Sequence, residues 1–471
     1  MGRAEIKRFR RGAEEVAVFL KPRLDGKTRI KVISHTDADG IAAAAILARC
    51  LYAYNVPFSV KLARPPSEED IAQLAAEGQD LYIFLDQGSG QLDAINKHLL
   101  ARQKEVIVID HHPGQFLEHP KFSCLNPHLC GLSGSTDVSA SGATFSVVEQ
   151  LDLRFRSLIS LALVGAIGDR QELSSGFTGV NDTLLKRAVD LGLVRESEGL
   201  KLVRRSLVPA VECLRTSTRP YILGLSGNLA SCRSLLDTLG LSHSSLISDL
   251  GLELERKLAD AIFSKAGAQA VKEEFRRTLW GTILTAATDD LVGPKELGEY
   301  SAIIDACGNM KRPEIGFALA VGDGSYQMDA LGLLSNYQEV VLRAMGWLVE
   351  KLASFKIAAG FRYLYAGDAV DAAILGEILS LAIESALIPM EQPVVGMADA
   401  ADGYVKVSAR ATSRLVAEGV NLGRAISKAA AAVGGYGGGH DVSAAARIPR
   451  NRVEDFVVEL EKAISGGSYE L

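Results

Sequence analysis

Three short apolar, β-branched runs, TRIKVIS (28–34), LYIFLDQ (81–87) and EVIVID (105–110), recur near the start of the chain, separated by stretches of helical length and period at 40–54, 68–76 and 91–102. Runs of that length without polar alternation belong to strands buried on both faces, and strands alternating with helices build a mostly parallel, doubly wound sheet. The alternation returns after Lys356, with strand-like stretches at 358–366, 393–398, 404–408 and 442–448 and helical ones at 370–386, 422–432 and 451–464. Between the two regions the texture changes: helical segments at 242–262, 265–280 and 294–307 carry no strand rhythm, and 326–353 repeats apolar residues as one long linking helix would. The expected class is α/β. Residues 1–193 form a doubly wound domain, 194–300 a mainly helical inserted module, 301–355 a connector with the long helix, and 356–471 a smaller α/β domain.

A chain of 471 residues is too long for one core, and 48% apolar with 23% charged residues is the balance of packed globular structure. The opening segment MGRAEIKRFRRGAEEVAVFLKP mixes acids and bases and has no apolar core of a signal peptide. The longest apolar run, 158–168, is shorter than the ~20 residues a membrane span needs. A cytoplasmic protein without a membrane partner is expected. Six cysteines stand apart with no C-x-x-C pair, which excludes a disulfide framework and a closed structural zinc site. A net charge of −6 opposes a uniformly basic surface but leaves room for a local basic groove, for which Lys7, Arg8, Arg10, Arg11, Arg204, Arg205, Arg276 and Arg277 are candidates. Each is also the kind of residue that solvates a helix face.

Four acidic or histidine clusters stand at the carboxyl ends of elements in the first domain. His35, Asp37 and Asp39 follow the first run, Asp86 ends the second, Asp110, His111 and His112 end the third, and Asp169 follows the apolar run 158–168. In an open parallel sheet the carboxyl ends of adjacent strands line one crevice, so groups far apart in sequence converge. A single Asp in such a place is usually a helix cap or turn residue, and one His-His pair is often a surface loop. Four clusters on successive elements have no such explanation. Gathered carboxylates and imidazoles repel one another unless cations intervene, and a donor set of oxygen and nitrogen without thiolate favours Mn2+ or Mg2+. Two ions sharing a carboxylate, about 3.5–4 Å apart, are the usual arrangement for in-line attack at phosphorus, so phosphoester hydrolysis is the expected chemistry.

The order SHTDADG (34–40), FLD (84–86), VIDHHPG (108–114) and GAIGD (165–169) resembles the four motifs of DHH phosphoesterases. The segment 138–143 is similar to that family's serine-rich turn, where Ser139 or Ser141 would cap the next helix. The resemblance implies that His35 and Asp37 hold one ion, that Asp39, His111 and Asp169 hold another, and that Asp86 bridges the two. It also implies a catalytic His112 facing the scissile phosphate, with Asp110 orienting an imidazole. The short spacing from His35 to Asp37 resembles the exonuclease branch rather than small-substrate branches.

In the C-terminal domain GGGH (437–440) resembles the loop of a DHHA1 domain, and VSAR (407–410) resembles its substrate-side strand. Glycines let backbone amides approach a phosphate and an arginine can clamp one, so Ser408, Arg410, Gly437, Gly438, Gly439 and His440 are the substrate-binding candidates. A glycine run is equally a helix C-cap followed by a turn. Segments 306–309 and 317–323 resemble the connector of archaeal RecJ-like proteins, which implies that the middle module docks replication partners, the GINS complex in particular.

The expected function is a nucleoid-associated, RecJ-like exonuclease that uses two divalent ions on single-stranded DNA or RNA, admitted between two domains too close for a duplex. One alternative is a phosphatase of very short oligonucleotides or small nucleotides. Another is a replication scaffold like the DHH-fold subunit of the eukaryotic replicative helicase.

Overall fold

The computed structural model describes residues 2–172 and 176–465; the end of the expected C-terminal domain, 466–471, lies outside them. The chain divides into two compact units, 1–207 with 282–337 and 208–281 with 338–471.

The first unit is built on strands β1 (Ile30–Ser34), β2 (Phe58–Leu62), β3 (Leu81–Leu85), β4 (Glu105–Ile109) and β5 (Phe122–Leu125), all parallel, in the order β2-β1-β3-β4-β5. The three runs legible in sequence are the three central strands. Their side chains alternate between two cores. Val32, Ile83 and Ile107 join a core with helices α1 (Arg3–Leu20), α2 (Ala38–Ala53), α5 (Ala140–Leu151) and α6 (Ile159–Gly168). Ile33, Tyr82, Phe84, Val106 and Val108 face the other way, onto α3 (Glu68–Ala76) and α4 (Leu92–His98). That is the doubly wound α/β sheet expected. Helix α2 is buried on nearly every side, because its alanine-rich sequence lets α5 and α6 approach it closely.

The boundaries of the middle region fall elsewhere than the sequence suggested. Residues 194–207 and 282–300 pack with the first unit, whereas 208–281 pack with the C-terminal sheet. The reason lies in two strands that carry no apolar run. β6 (Val194–Leu200, VRESEGL) is mostly exposed and pairs with β7 (Trp280–Ala286). The helix Leu297–Asn309 is then tied to the chain after β6 by Arg205 on Glu296 at 2.6 Å and by Ser206 on Glu299.

The second unit centres on a mixed sheet in the order β12-β13-β11-β10-β9-β8: β8 (Lys356–Ala358), β9 (Phe361–Tyr365), β10 (Val394–Asp399), β11 (Tyr404–Arg410), β12 (Tyr436–Gly439) and β13 (Ser443–Pro449). Val395, Met397, Val405 and Val407 pack on Leu422, Ile426, Phe456 and Leu460 of the helices Leu422–Ala432 and Val453–Ser465. Helices from 208–281 join this unit through Gln269, whose amide nitrogen donates to the carbonyls of Tyr221 at 2.9 Å and Ser385 at 2.6 Å. The linking helix runs Gln327–Glu350. Among the described residues no helix is long and apolar enough to cross a membrane.

Candidate metal centre

Register assembles the site. Ser34 pairs with Leu85 and Leu85 with Ile109, so the next residues, His35, Asp86 and Asp110, leave three adjacent strands at one level. Asp37 then caps α2, accepting from the Gly40 amide at 3.0 Å, and Asp39 follows in the first turn. A side chain at Gly40 would sit 2.6 Å from the His35 carbonyl oxygen, so the tight turn demands glycine. Asp86 adopts a left-handed φ of 55°, a conformation that costs about 1 kcal/mol or more outside glycine. Asp169 arrives differently: its apolar run is helix α6, and the aspartate closes that helix.

Asp39 is held by the amino end of α5. Its two carboxylate oxygens accept from the amides of Ala140 at 2.6 Å and Ser141 at 2.9 Å, while Ser139 is the N-cap and accepts from Gly142. The close approach requires Gly165 on α6, where a Cβ would lie 2.4 Å from Asp39 Oδ1. Helix dipole and amides both favour negative charge here.

Three groups of donors lie close enough to share an ion: His35, Asp37 and Asp86; Asp39, His111 and Asp169; and Asp86, His111 and His112, with one donor atom from each residue lying within 4.8 Å of the others in its group. Asp86 is in two of them. Its Oδ2 and the Nε2 of His111 are buried and make no well-aligned hydrogen bond among the described residues, only ion-pair contacts, Oδ2 with His35 Nδ1 at 3.5 Å and Nε2 with Asp86 Oδ1 at 3.1 Å. Carboxylate oxygens and imidazole nitrogens converging without a thiolate fit a hard divalent cation.

The electrostatics of the bare cluster make the same point. Burial alone would lower His35, but Asp37 and Asp86 raise its imidazole to about 11. Burial opposes the ionisation of Asp37, and the neighbouring His35 overrides it and holds that carboxyl well below the ordinary range. Burial, then Asp86 and Asp169, push Asp39 up to about 7; burial, with Asp86 and Asp37, pushes Asp169 up to about 6. His111 is carried far above its usual value, against its burial, by Asp169, Asp86 and Asp39. Negative charge is in excess, and imidazoles carry the balance.

Behind the cluster, the loop after β4 is clamped by groups that the sequence did not single out. Asp110 Oδ1 accepts from His112 Nδ1 at 2.8 Å and from the His111 amide, and its Oδ2 accepts from the Ser89 amide at 2.9 Å. Burial notwithstanding, these partners hold Asp110 down to about 2. Asn126 donates to the carbonyl of His112 and to Ser89 Oγ, both at 2.9 Å. The Gly134 carbonyl lies 2.6 Å from His111 Nδ1. Single asparagines and glycines have no spacing signature, and only tertiary contact reveals them.

The substrate-binding candidates lie in the second unit. Ser408 and Arg410 are on β11 and Gly437, Gly438 and Gly439 on β12, with β13 between; Ser408 and Gly438 both pair with Ala445. The glycine run, read as a loop, is an edge strand followed by the exposed His440. A Cβ on Gly437 would meet Ala446 at 2.6 Å and one on Gly439 would meet the Ser443 carbonyl at 2.4 Å, whereas Gly438 has nothing within 4 Å. Arg410 hydrogen-bonds Ser380 Oγ at 2.9 Å and the carbonyls of Gly376 at 3.0 Å and Ala409 at 2.9 Å. Among the basic candidates, Arg8, Arg10, Arg11 and Arg277 pair with a glutamate on their own helix, and Arg276 lies 4.2 Å over the Phe263 ring.

Residues 29–166 match the DHH family, N-terminal domain, and residues 360–466 match the DHHA1 domain. An uncharacterised protein of Methanocaldococcus jannaschii is 26% identical over 455 residues, 92% of this chain and 93% of that one. RecJ from Thermus thermophilus in complex with Mn2+ shares the fold at a TM-score of 0.60 and 18% identity, over 97% of this chain and 55% of that chain. The present chain thus spans about half the length of that RecJ. Exonuclease RecJ bound to manganese is similar at 0.59 and 18% identity, over 96% of this chain and 94% of that one. CDC45 from Entamoeba histolytica is similar at 0.64 and 12% identity, over 97% and 99%.

Proposed function

We propose, for a chain that belongs to the DHH superfamily and has a RecJ-like fold, the function of a two-metal phosphodiesterase that removes nucleotides from the end of single-stranded DNA or RNA. The observation that carries the reading is Asp86: buried, shared by two donor groups, with His35 and His111 both turned to its carboxylate. In this reading His35 and Asp37 would hold one divalent ion, Mn2+ or Mg2+, and Asp39, His111 and Asp169 would hold another, with Asp86 available to both. Divalent ions at such a site neutralise the phosphate and lower the pKa of the attacking water.

The chain's own residues do the rest. Asp110 fixes the Nδ1 side of His112, whose partly exposed imidazole stabilises charge on the phosphate or gives a proton to the leaving oxygen. Burial lowers the His112 pKa, and the hydrogen bond to Asp110 with the charges of Asp110 and Asp86 overrides it, so that the imidazole of the bare cluster is raised above its ordinary value. Ser408, Arg410 and the strand Tyr436–Gly439 with His440 are assigned to the substrate backbone; the open space at Gly438 is what a phosphate would need.

End-labelled single-stranded DNA and RNA incubated with Mn2+ or Mg2+ test the proposal, with short dinucleotides alongside. Stepwise shortening of the long strand, absent in an Asp37→Ala protein, is expected. Hydrolysis of dinucleotides alone would instead mark a small-substrate phosphatase, and no hydrolysis of either would overturn the enzymatic reading.

A second reading is favoured by the similarity to CDC45, which extends over 99% of that chain. As a scaffold in a replicative helicase assembly, the protein would bind a GINS-type partner independently of catalysis. Co-purification with such a complex that persists in Asp37→Ala but is lost on deleting 208–281 would support it.

A further inference from the structure

Behind Asp39, His111 and Asp169 stand two side chains that none of the motifs includes. Gln171 is fully buried, and its amide nitrogen donates to Asp169 Oδ2 at 2.7 Å and to the Gly134 carbonyl at 2.8 Å. That carbonyl is the one facing His111 Nδ1. On its other side Gln171 Oε1 accepts from Asn181 Nδ2 at 2.6 Å, and Asn181 on α7 (Gly179–Asp190) is fully buried as well. A carboxylate and a carbonyl only accept, so the nitrogen end of Gln171 must face them, and the donor from Asn181 fixes the oxygen end opposite. The amide cannot turn over without setting oxygen against oxygen. Gly134 completes the arrangement, since a Cβ there would fall 1.7 Å from the His111 carbonyl oxygen.

We propose that Gln171, held by Asn181, is a positioning residue for the metal centre. It pins one oxygen of Asp169 and braces the carbonyl that receives the Nδ1 proton of His111, so that Nε2 of that imidazole is the nitrogen presented to an ion. Histidine ligands characteristically donate their second nitrogen to a carbonyl or carboxylate, and loss of such backing typically lowers metal affinity or activity 10–100-fold. The inference rests on reading Asp169 and His111 as metal ligands.

Mn2+ affinity, measured by titration calorimetry on the full chain with circular dichroism and unfolding temperature alongside, tests it without recourse to turnover. Gln171→Met keeps the length of the side chain but not its hydrogen bonds and should weaken Mn2+ binding about 10–100-fold. Asn181→Leu should weaken it less, and the double variant no more than Gln171→Met alone, because both act through one amide. Thr144→Val, which alters another buried polar group outside this chain of contacts, should leave affinity unchanged. Native-like Gln171→Met and Asn181→Leu proteins that bind Mn2+ as well as the parent, while Asp169→Asn does not, would overturn the inference and leave the metal site standing. So would losses that multiply in the double variant. A parent protein that binds no Mn2+ would overturn both.

Discussion

The candidate sites of the two units hold their polar side chains differently. In the first, Asp86 Oδ2 and His111 Nε2 are buried with ion-pair contacts alone, to His35 at 3.5 Å and to Asp86 Oδ1 at 3.1 Å, next to carboxyls pushed above their ordinary range. In the second, the guanidinium of Arg410 already bonds Ser380, Gly376 and Ala409, and the glycines of β12 fit where close strand contact requires them. Three of the five N–H donors of that guanidinium serve these contacts and hold it in place, whereas the carboxylates of the first site crowd like charges that a cation relieves. The first site is therefore arranged for a cation, and the second carries a fixed cation of its own.

The contrast breaks first at Asp86. Asp86→Asn should lower hydrolysis by on the order of 10³-fold or more, since the shared carboxylate carries several kcal/mol of charge stabilisation, and should abolish the Mn2+ binding isotherm. Parent-like kinetics in that variant would remove the asymmetry. His112→Ala should cost roughly 10²–10³-fold in kcat with Mn2+ affinity kept, and Asp110→Asn should cost less, separating the phosphate-facing imidazole from the ligands. In the second unit, Gly437→Ala should destabilise by about 1–3 kcal/mol in urea titration because its Cβ meets Ala446, while Gly438→Ala should stay within about 0.5 kcal/mol. Arg410→Ala should raise KM about tenfold with little change in kcat; a fall in kcat instead would show that it is engaged in the transition state.

A pH effect sharpens the comparison within the first unit. Glu299 is buried but bonded to the amide and hydroxyl of Ser206, and burial beside Glu296, offset in part by Arg205, carries it to about 7 from 4.5. An acid raised in the folded state contributes stability below the unfolded value and loses it as pH rises through the folded one. Stability should therefore fall across pH 4.5–7 by up to about 3 kcal/mol, and Glu299→Gln should flatten that slope in pH-dependent thermal unfolding.

What could be read from the sequence follows the same physics. β1, β3 and β4 are buried on both faces and announce themselves as apolar runs, and the clusters at their ends are visible because charge after such a run is anomalous. β2 and β5 lie at the sheet edges, partly exposed, and β6 is almost wholly polar, so none carries that signal. GGYGGGH could not be told from a loop, because an edge strand of glycine has no side-chain pattern. Asn126, Gly134, Gln171 and Asn181 act through carbonyls and amides across long sequence separations, which no local spacing records.

Asp39 serves two masters, and that shapes how such a protein can decay over generations. Its carboxylate closes the amino end of α5 whether or not an ion is ever bound. A lineage that abandons hydrolysis is free to drift at His112, whose imidazole is 43% exposed, yet it must keep an acceptor at position 39 or leave two buried amides bare. Survival of that one aspartate in a descendant is thus no sign of living chemistry; the residues to inspect are those whose only employment is the reaction.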